Sequence, residues 1–387
     1  MKRLVFKHKT FRITTPLFNH SLLALLLIVG GLFQSDNPPP CNHYSKVIKK
    51  EMSLSPYGEV SVYNKYGNID VVGWDKNRVK IAVTILVNAG SEFYAQRVFD
   101  RIDINFNASA NAVNVASNIQ AQKKEWWEWG GDHEDDYSID YKIFVPSTAS
   151  LKVKNRHGNV SLANISGKAE LNVQHGNVHA GKLGKEAILV VEDGYVSLGQ
   201  VEQLRAEVKR ARVRLDEVQR LEINSCFSTL KLQKAEEMVC NTKYDTYTLV
   251  NVGRFVNIGR FDDIEIEHAE EIDMTSKLTD LVVENVTKSL NLNVDSSSIE
   301  AGRLWGDFRH VELSGKFSDF IIGVPNNGKY EVDAIANYAG VRYPRNLIIV
   351  EEKDLGTEYK LQGHVGNKVT NPRLIRARLK YGSLKLE

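Results

Sequence analysis

His157-Gly158-Asn159-Val160, His175-Gly176-Asn177-Val178 and Asp193-Gly194-Tyr195-Val196 are one short phrase written three times at an even spacing, starting at positions 157, 175 and 193. The next residues of each copy also match: Val160-Ser161-Leu162, Val178-His179-Ala180 and Val196-Ser197-Leu198. Degenerate copies continue at Val213-Arg214-Leu215 and Leu230-Lys231-Leu232, with the period shortened by one. Between them lie second alternating segments, at Glu170-Leu171-Asn172-Val173, Leu189-Val190-Val191, Leu204 to Val208 and Leu221-Glu222-Ile223. A fixed period holding two short strands predicts one coil of chain per unit, with alternate side chains turned inward. One coil cannot bury its own apolar face, so the coils must stack on a shared core. Val160, Val178 and Val196 are expected to lie one above another inside that core. The Gly-Asn and Asp-Gly pairs are expected to supply positive-φ corners. A two-sheet sandwich also has regularly spaced strands. The solenoid is preferred because the match extends to the corner residues.

Further along, the alternation persists at Ile264-Glu265-Ile266, Leu290 to Val294 and Val311-Glu312-Leu313, and the array is expected to close at Leu384-Lys385-Leu386. On the N-terminal side, Val60 and Val62 followed by Tyr66-Gly67-Asn68-Ile69-Asp70-Val71 read as a hairpin with a Gly-Asn turn. Residues 79–87 read as a strand, and 91–101 (SEFYAQRVFDR) carry the one helical spacing. Segments 102–106, 113–119 and 139–145 read as further strands. The expected fold is all-β, a single-stranded, parallel β-helix-like β-solenoid of roughly 18-residue coils preceded by a smaller β-rich region. The expected divisions are a signal peptide over 1–35, a linker over 36–50, a β-rich segment with a Trp-rich loop over 51–150, and the repeat region over 151–387.

The chain has 387 residues and is 42% hydrophobic, enough for a sizeable core and too apolar for global disorder. Lys+Arg of 50 against Asp+Glu of 48 gives no electrostatic reason to expect nucleic acid. Lys2, Arg3, Lys7, Lys9 and Arg12 precede an apolar run from Leu22 to Phe33, and no acidic residue occurs before Asp36. That order fits an export signal. The run is shorter than the roughly 20 residues of a membrane span. No clean A-x-A cleavage site follows, so a retained anchor is the alternative, and membrane association is expected only through this segment. Cys41 follows three prolines rather than a small-residue lipobox. The expected location is the periplasm, outer membrane or cell surface of a bacterium.

Tyr66-Gly67-Asn68-Ile69-Asp70-Val71-Val72-Gly73-Trp74-Asp75, Tyr141-Lys142-Ile143-Phe144-Val145-Pro146 and the Gly-Asn-Val repeats together resemble a bacterial adhesin family, a β-strand-repeat domain of unknown function. The resemblance covers roughly residues 51–387. It implies a β-solenoid at the cell envelope and supplies no catalytic residues. The tryptophan-rich insertion at 123–136 departs from it.

No G-x-S-x-G, H-E-x-x-H, P-loop or dinucleotide fingerprint occurs. No catalytic residue, metal site or cofactor is assigned. His157 and His175 share a repeat position, as neighbouring metal ligands do, with Asp193 next in line. The simpler reading is a polar residue preceding each corner glycine. Asp132, His133, Glu134, Asp135 and Asp136 lack the spacing of a calcium loop and read as a solvated acidic loop. Cys226 and Cys240, separated by close to one repeat length, are either a bond between neighbouring coils or two small buried or edge thiols. Trp126, Trp127 and Trp129 form the candidate binding patch. Their alternative role is a lid over an open end of the array. The expected function is a non-enzymatic adhesion or interaction scaffold for a protein or glycan of the envelope. A polysaccharide-binding or polysaccharide-cleaving β-helix is the alternative.

Overall fold

The computed structural model describes residues 42–121, 136–367 and 373–387. The chain begins with β1 (Asn42–Ser53), β2 (Glu59–Asn64), β3 (Ile69–Trp74), β4 (Arg78–Ala89), α1 (Glu92–Phe99), β5 (Ile102–Ala108), β6 (Ala112–Ile119) and β7 (Asp136–Pro146). Next come β8 (Ser150–Arg156), β9 (Val160–Ala163), β10 (Ala169–Gln174), β11 (Val178–Lys182) and β12 (Glu186–Glu192). Long strands come after these, each a whole coil: β13 (Tyr195–Lys209), β14 (Arg212–Cys226), β15 (Thr229–Lys243), β16 (Thr246–Arg260), β17 (Asp263–Lys277) and β18 (Asp280–Asp295). The last are β19 (Ser298–Leu304), β20 (His310–Ile322), β21 (Tyr330–Arg342), β22 (Ile348–Asp354), β23 (Glu358–Val365) and β24 (Arg373–Leu386).

Pairing settles the architecture. Val178 pairs in parallel with Val160 and with Val196. The column continues through Val213, Leu230, Tyr247, Ile264 and Leu281. Parallel pairing of each strand with chain one repeat further on is a stack of coils, whereas a sandwich is built of antiparallel neighbours. Val160, Val178 and Val196 are fully buried, as the repeat register requires. In β14 the inward set is Val213, Leu215, Val218, Leu221 and Ile223, and Arg212, Arg214, Arg220 and Glu222 face out. Each such aliphatic side chain contributes about 1.5–3 kcal/mol when fully buried. Ser225 of one arm meets Tyr247 of the other across the interior, Oγ to OH 2.5 Å.

The sharp corner of each coil differs from expectation. The left-handed residue is the one before the glycine: His157 (φ 56°), His175 (φ 53°) and Asp193 (φ 55°). Gly158 and Gly176 are glycines for another reason. A Cβ at Gly158 would lie 1.9 Å from the Gly67 carbonyl oxygen, and one at Gly176 would lie 2.0 Å from that of Gly158. The glycines let successive corners approach.

The expected hairpin at 60–71 is also corrected. β2 pairs in parallel with β6 and β8, and β3 with β7 and β9, so Gly67 turns a coil corner and β2 and β3 are successive arms. Pairing in a coil stack runs between coils, which the local turn motif does not reveal. β4 lies antiparallel on β7, β1 on β4 and β5 on β6. The helix falls where its periodicity predicts and buries Ala95, Val98 and Phe99. At the other end β24 does not close the array. It slots in parallel between β20 and β21, and the antiparallel strands β23 and β22 lie beyond β21. Both thiols are free: Cys240 is inside, level with Ile223, and Cys226 lies on the outer side of the coil end. Burial pushes the Cys240 thiol up to about 12.

Candidate functional site

The corner column continues past the glycine-bearing coils. Arg210, Phe227, Tyr244, Phe261, Leu278, Ser296 and Phe317 all take φ between 49° and 61°, and Tyr338 and Tyr381 take 52° and 57°. Left-handed backbone suits Gly, Asn or Asp and is strained for a bulky residue. Such strain, repeated in one column, is a pointer to function. It is offset in part by contact along the column. Phe227 stacks on Tyr244 at 4.8 Å and Tyr244 on Phe261 at 4.6 Å between ring centroids. Phe317 stacks on Tyr381 at 4.8 Å, and Tyr381 on Tyr338 at 5.3 Å. Aromatic pairs of this kind contribute about 0.5–1.5 kcal/mol beyond burial. The rings remain at the surface all the same, Phe227 55% and Tyr338 60% exposed.

One residue before each corner stands a second column: Lys209, Cys226, Lys243, Arg260, Lys277, Asp295, Lys316 and Lys380. The ammonium groups lie beside the rings of the next residue, 5.1 Å for Lys243 on Tyr244 and 5.4 Å for both Lys316 on Phe317 and Lys380 on Tyr381. A third column, two residues earlier, is mostly amide and hydroxyl: Asn224, Asn241, Thr275, Asn293 and Ser314. These two columns line a groove of about 1230 Å³ running over the coils from β12 to β24. Seven cations line it against three carboxylates, Glu192, Glu207 and Asp295. Glu192 is taken by Lys209 and Arg210, and Asp295 lies 3.8 Å from Lys277. Arg378 is held by Asp333 at 2.7 Å. Lys243, Arg260, Lys316 and Lys380 have no carboxylate at ion-pair distance among the described residues.

A second groove, about 1130 Å³, is lined by Ser161, His179, Lys182, Gln200, Glu217 and Lys234 among others. Its four lysines, Lys142, Lys182, Lys185 and Lys234, are matched in number by four carboxylates, Asp70, Glu202, Glu217 and Glu236. Lys234 binds Glu217 at 2.8 Å and Gln200 reaches the same carboxylate at 3.1 Å. The two grooves thus differ in charge balance, the first lined by an excess of cations and the second by equal numbers of lysines and carboxylates.

His157 and His175 are neighbours on one edge, as the repeat predicts, with rings stacked 4.9 Å apart and 6° from parallel. Tyr66 covers the other face of His157. Burial, then Arg156 and His175, lower the His157 pKa. The Asp193 carboxylate is occupied by Arg210 through two 2.7 Å bonds, which hold it below the usual carboxylate range. No group of three metal-ligating side chains is present among the described residues. Trp126, Trp127 and Trp129, and Asp132, His133, Glu134 and Asp135, lie outside the described residues; Asp136 begins β7. The basic-aromatic column escapes a reading of the sequence for repeats, although its signal is there. Lys243-Tyr244, Arg260-Phe261 and Lys277-Leu278 recur at the shortened period, with Lys316-Phe317 and Lys380-Tyr381 beyond them.

Among the described residues, no helix is long and apolar enough to cross a membrane. No family model matches the chain, and no curated protein matches it. Solved structures do. A candidate adhesin from Parabacteroides distasonis is 11% identical, with 88% of this chain and 97% of that one covered and a TM-score of 0.27. A candidate adhesin from Parabacteroides merdae is 9% identical over 88% and 96%, with a TM-score of 0.25. A candidate cell adhesion protein from Clostridium sporogenes is 8% identical over 88% and 99%, with a TM-score of 0.18. At these values the fold rests on the chain's own strand pairing, and the names remain those of the other proteins.

Proposed function

We propose that this chain is a non-enzymatic interaction scaffold, exported to the bacterial envelope or surface, and that it makes contact through the groove bordered by the basic and aromatic columns. The single observation that carries the reading is the row of surface rings held in strained backbone beside unpaired cations. A rigid stack presents such a row as one continuous surface, which is how solenoids bind extended partners. The absence of carboxylates from the middle of the groove, between Asn224 and Lys277 among the described lining residues, supports binding over hydrolysis, because glycoside cleavage needs an acidic pair. Export rests on the basic and apolar order of residues 2–33.

The test is a cell-binding assay with the purified, labelled chain and the variant Tyr244→Asn/Phe261→Asn. Asparagine accepts the left-handed corner, so the coils should keep their melting temperature. Bacterial cells should retain the native chain and release the variant. Equal retention of the two would overturn the reading, as would turnover of a glycan by the native chain.

A further inference from the structure

We propose, building on that reading, that the ligand of the groove is a linear anionic polysaccharide lying along the solenoid, its carboxylates matched to the cation column. Lys243, Arg260 and Lys277 occupy successive levels, and after Asp295 the column resumes with Lys316 and Lys380. From Lys243 to Lys380 there are six levels, about 24 Å at ~4.8 Å per strand. Four of the five cations have no ion-pair partner of their own among the described residues, so the column presents free charge at near-regular steps. That step is close to the advance of one pyranose in an extended chain, so a uronate-type polymer meets the column in register. The neighbouring column offers amide or hydroxyl groups at the levels of Lys243, Lys277, Asp295 and Lys316, from Asn241, Thr275, Asn293 and Ser314, suited to sugar hydroxyls, and places Ile258 at the level of Arg260.

The rings argue against single-stranded nucleic acid as the occupant. Nucleic-acid clefts use aromatic faces to stack bases. Here Tyr244 has both faces covered, by Phe227 and Phe261, and Tyr381 has both covered, by Phe317 and Tyr338. The rings stand one residue outside the groove lining, which offers a ligand ammonium, guanidinium, amide and hydroxyl groups. Asp295 is the one carboxylate in the stretch, and its position predicts a local mismatch that the neutral residue would remove.

The experiment is a titration of the full chain with polygalacturonate, with fully methyl-esterified polygalacturonate and with oligo(dT). Polygalacturonate should bind, the ester should not, and affinity should fall as salt rises. Lys243→Gln/Arg260→Gln/Lys316→Gln should weaken binding about tenfold or more. Asp295→Asn should strengthen it, and Lys182→Gln/Lys234→Gln in the second groove should leave it unchanged. Binding that survives the triple substitution, or oligo(dT) bound more tightly than polygalacturonate, overturns the proposal. Failure to bind polygalacturonate while Tyr244→Asn/Phe261→Asn still abolishes cell retention removes the ligand class and leaves the scaffold standing.

Discussion

The coils carrying His157, His175 and Asp193 and the coils carrying Arg210 to Phe317 turn the same corner with different chemistry. In the first set a glycine follows the left-handed residue and the next amide reaches back one coil to an exposed asparagine. Asn159 N donates to Asn68 Oδ1, Asn177 N to Asn159 Oδ1 and Tyr195 N to Asn177 Oδ1, each at 3.0 Å. In the second set the glycine is replaced by Ala211, Ser228, Asp245, Asp262, Thr279, Ser297 and Ser318, all buried. There the amide reaches forward one coil and inward: Ala211 N to Ser228 Oγ at 3.2 Å, Ser228 N to Asp245 Oδ1 at 2.7 Å and Asp245 N to Asp262 Oδ1 at 3.0 Å. Thr279 N to Ser297 Oγ and Ser297 N to Ser318 Oγ continue the series at 3.2 and 3.1 Å. A backbone amide at a tight corner must find an acceptor. The requirement is constant, and the residue that meets it can sit outside or inside. Where it sits inside, the interior carries Asp245 and Asp262, bonded by Ser225 at 2.6 Å and Thr242 at 2.7 Å.

If the two sets share one apolar core, Val178→Asp and Leu232→Asp should each cost at least about 3 kcal/mol, the penalty of an uncompensated buried charge. Denaturant unfolding of both variants checks this, and a loss in only one would show that the sets do not share a core. The corners should separate next. Gly176→Ala drives a Cβ to 2.0 Å from a backbone oxygen and should cost about 2–3 kcal/mol. The reciprocal Ala211→Gly should cost only about 1 kcal/mol. Comparable losses would erase the distinction between a glycine set by crowding and a corner with room for a side chain.

The acceptors give a smaller contrast. Ser228→Ala leaves a buried amide unpaired and should cost about 1–2 kcal/mol. Asn177→Ala frees an amide that water can reach and should cost about 0.5 kcal/mol. Thermal melts of the pair sharpen the inside-outside difference. The subtlest effect is on pH dependence. Burial, ahead of every other cause, raises the pKa of both Asp245 and Asp262. The folded chain therefore keeps these protons to higher pH than the unfolded chain. Their contribution to stability is full at low pH and declines as pH rises from the ordinary carboxyl range, about 4, toward the raised values. Asp245→Asn/Asp262→Asn should lack that decline, visible as a changed slope of melting temperature against pH. An unchanged slope would mean that the inner acids titrate as exposed ones do.

The period itself is legible in the sequence because His-Gly-Asn-Val repeats both its corner and its inward valine, so sequence and register coincide at 157, 175 and 193. The corner's mechanism is not, because glycine is the usual left-handed residue, while here its role is clearance. The basic-aromatic column is hidden because at Arg210 the phrase changes vocabulary as the period shortens by one. Inward positions tolerate any apolar residue, so they keep the rhythm, but outward positions carry no such constraint. The place of β24 leaves no trace at all, since Glu312 and Arg376 meet far apart in sequence with no repeated motif between them.

That long-range insertion bears on how the molecule assembles. Between β13 and β18 each coil finds its partner one repeat away, so the middle of the stack can zip up from local closures. The ends cannot. Val60 meets Leu151 only across several coils' worth of intervening chain, and closing that loop instead of a single coil costs about 1.5 kcal/mol more in chain entropy. β20 and β21 stay apart until β24 is available to lie between them. Folding rates fall as contacts become less local. The array should therefore nucleate in its interior and finish at its two extremities, with the flank that receives β24 among the last to lose its exposed strand edges.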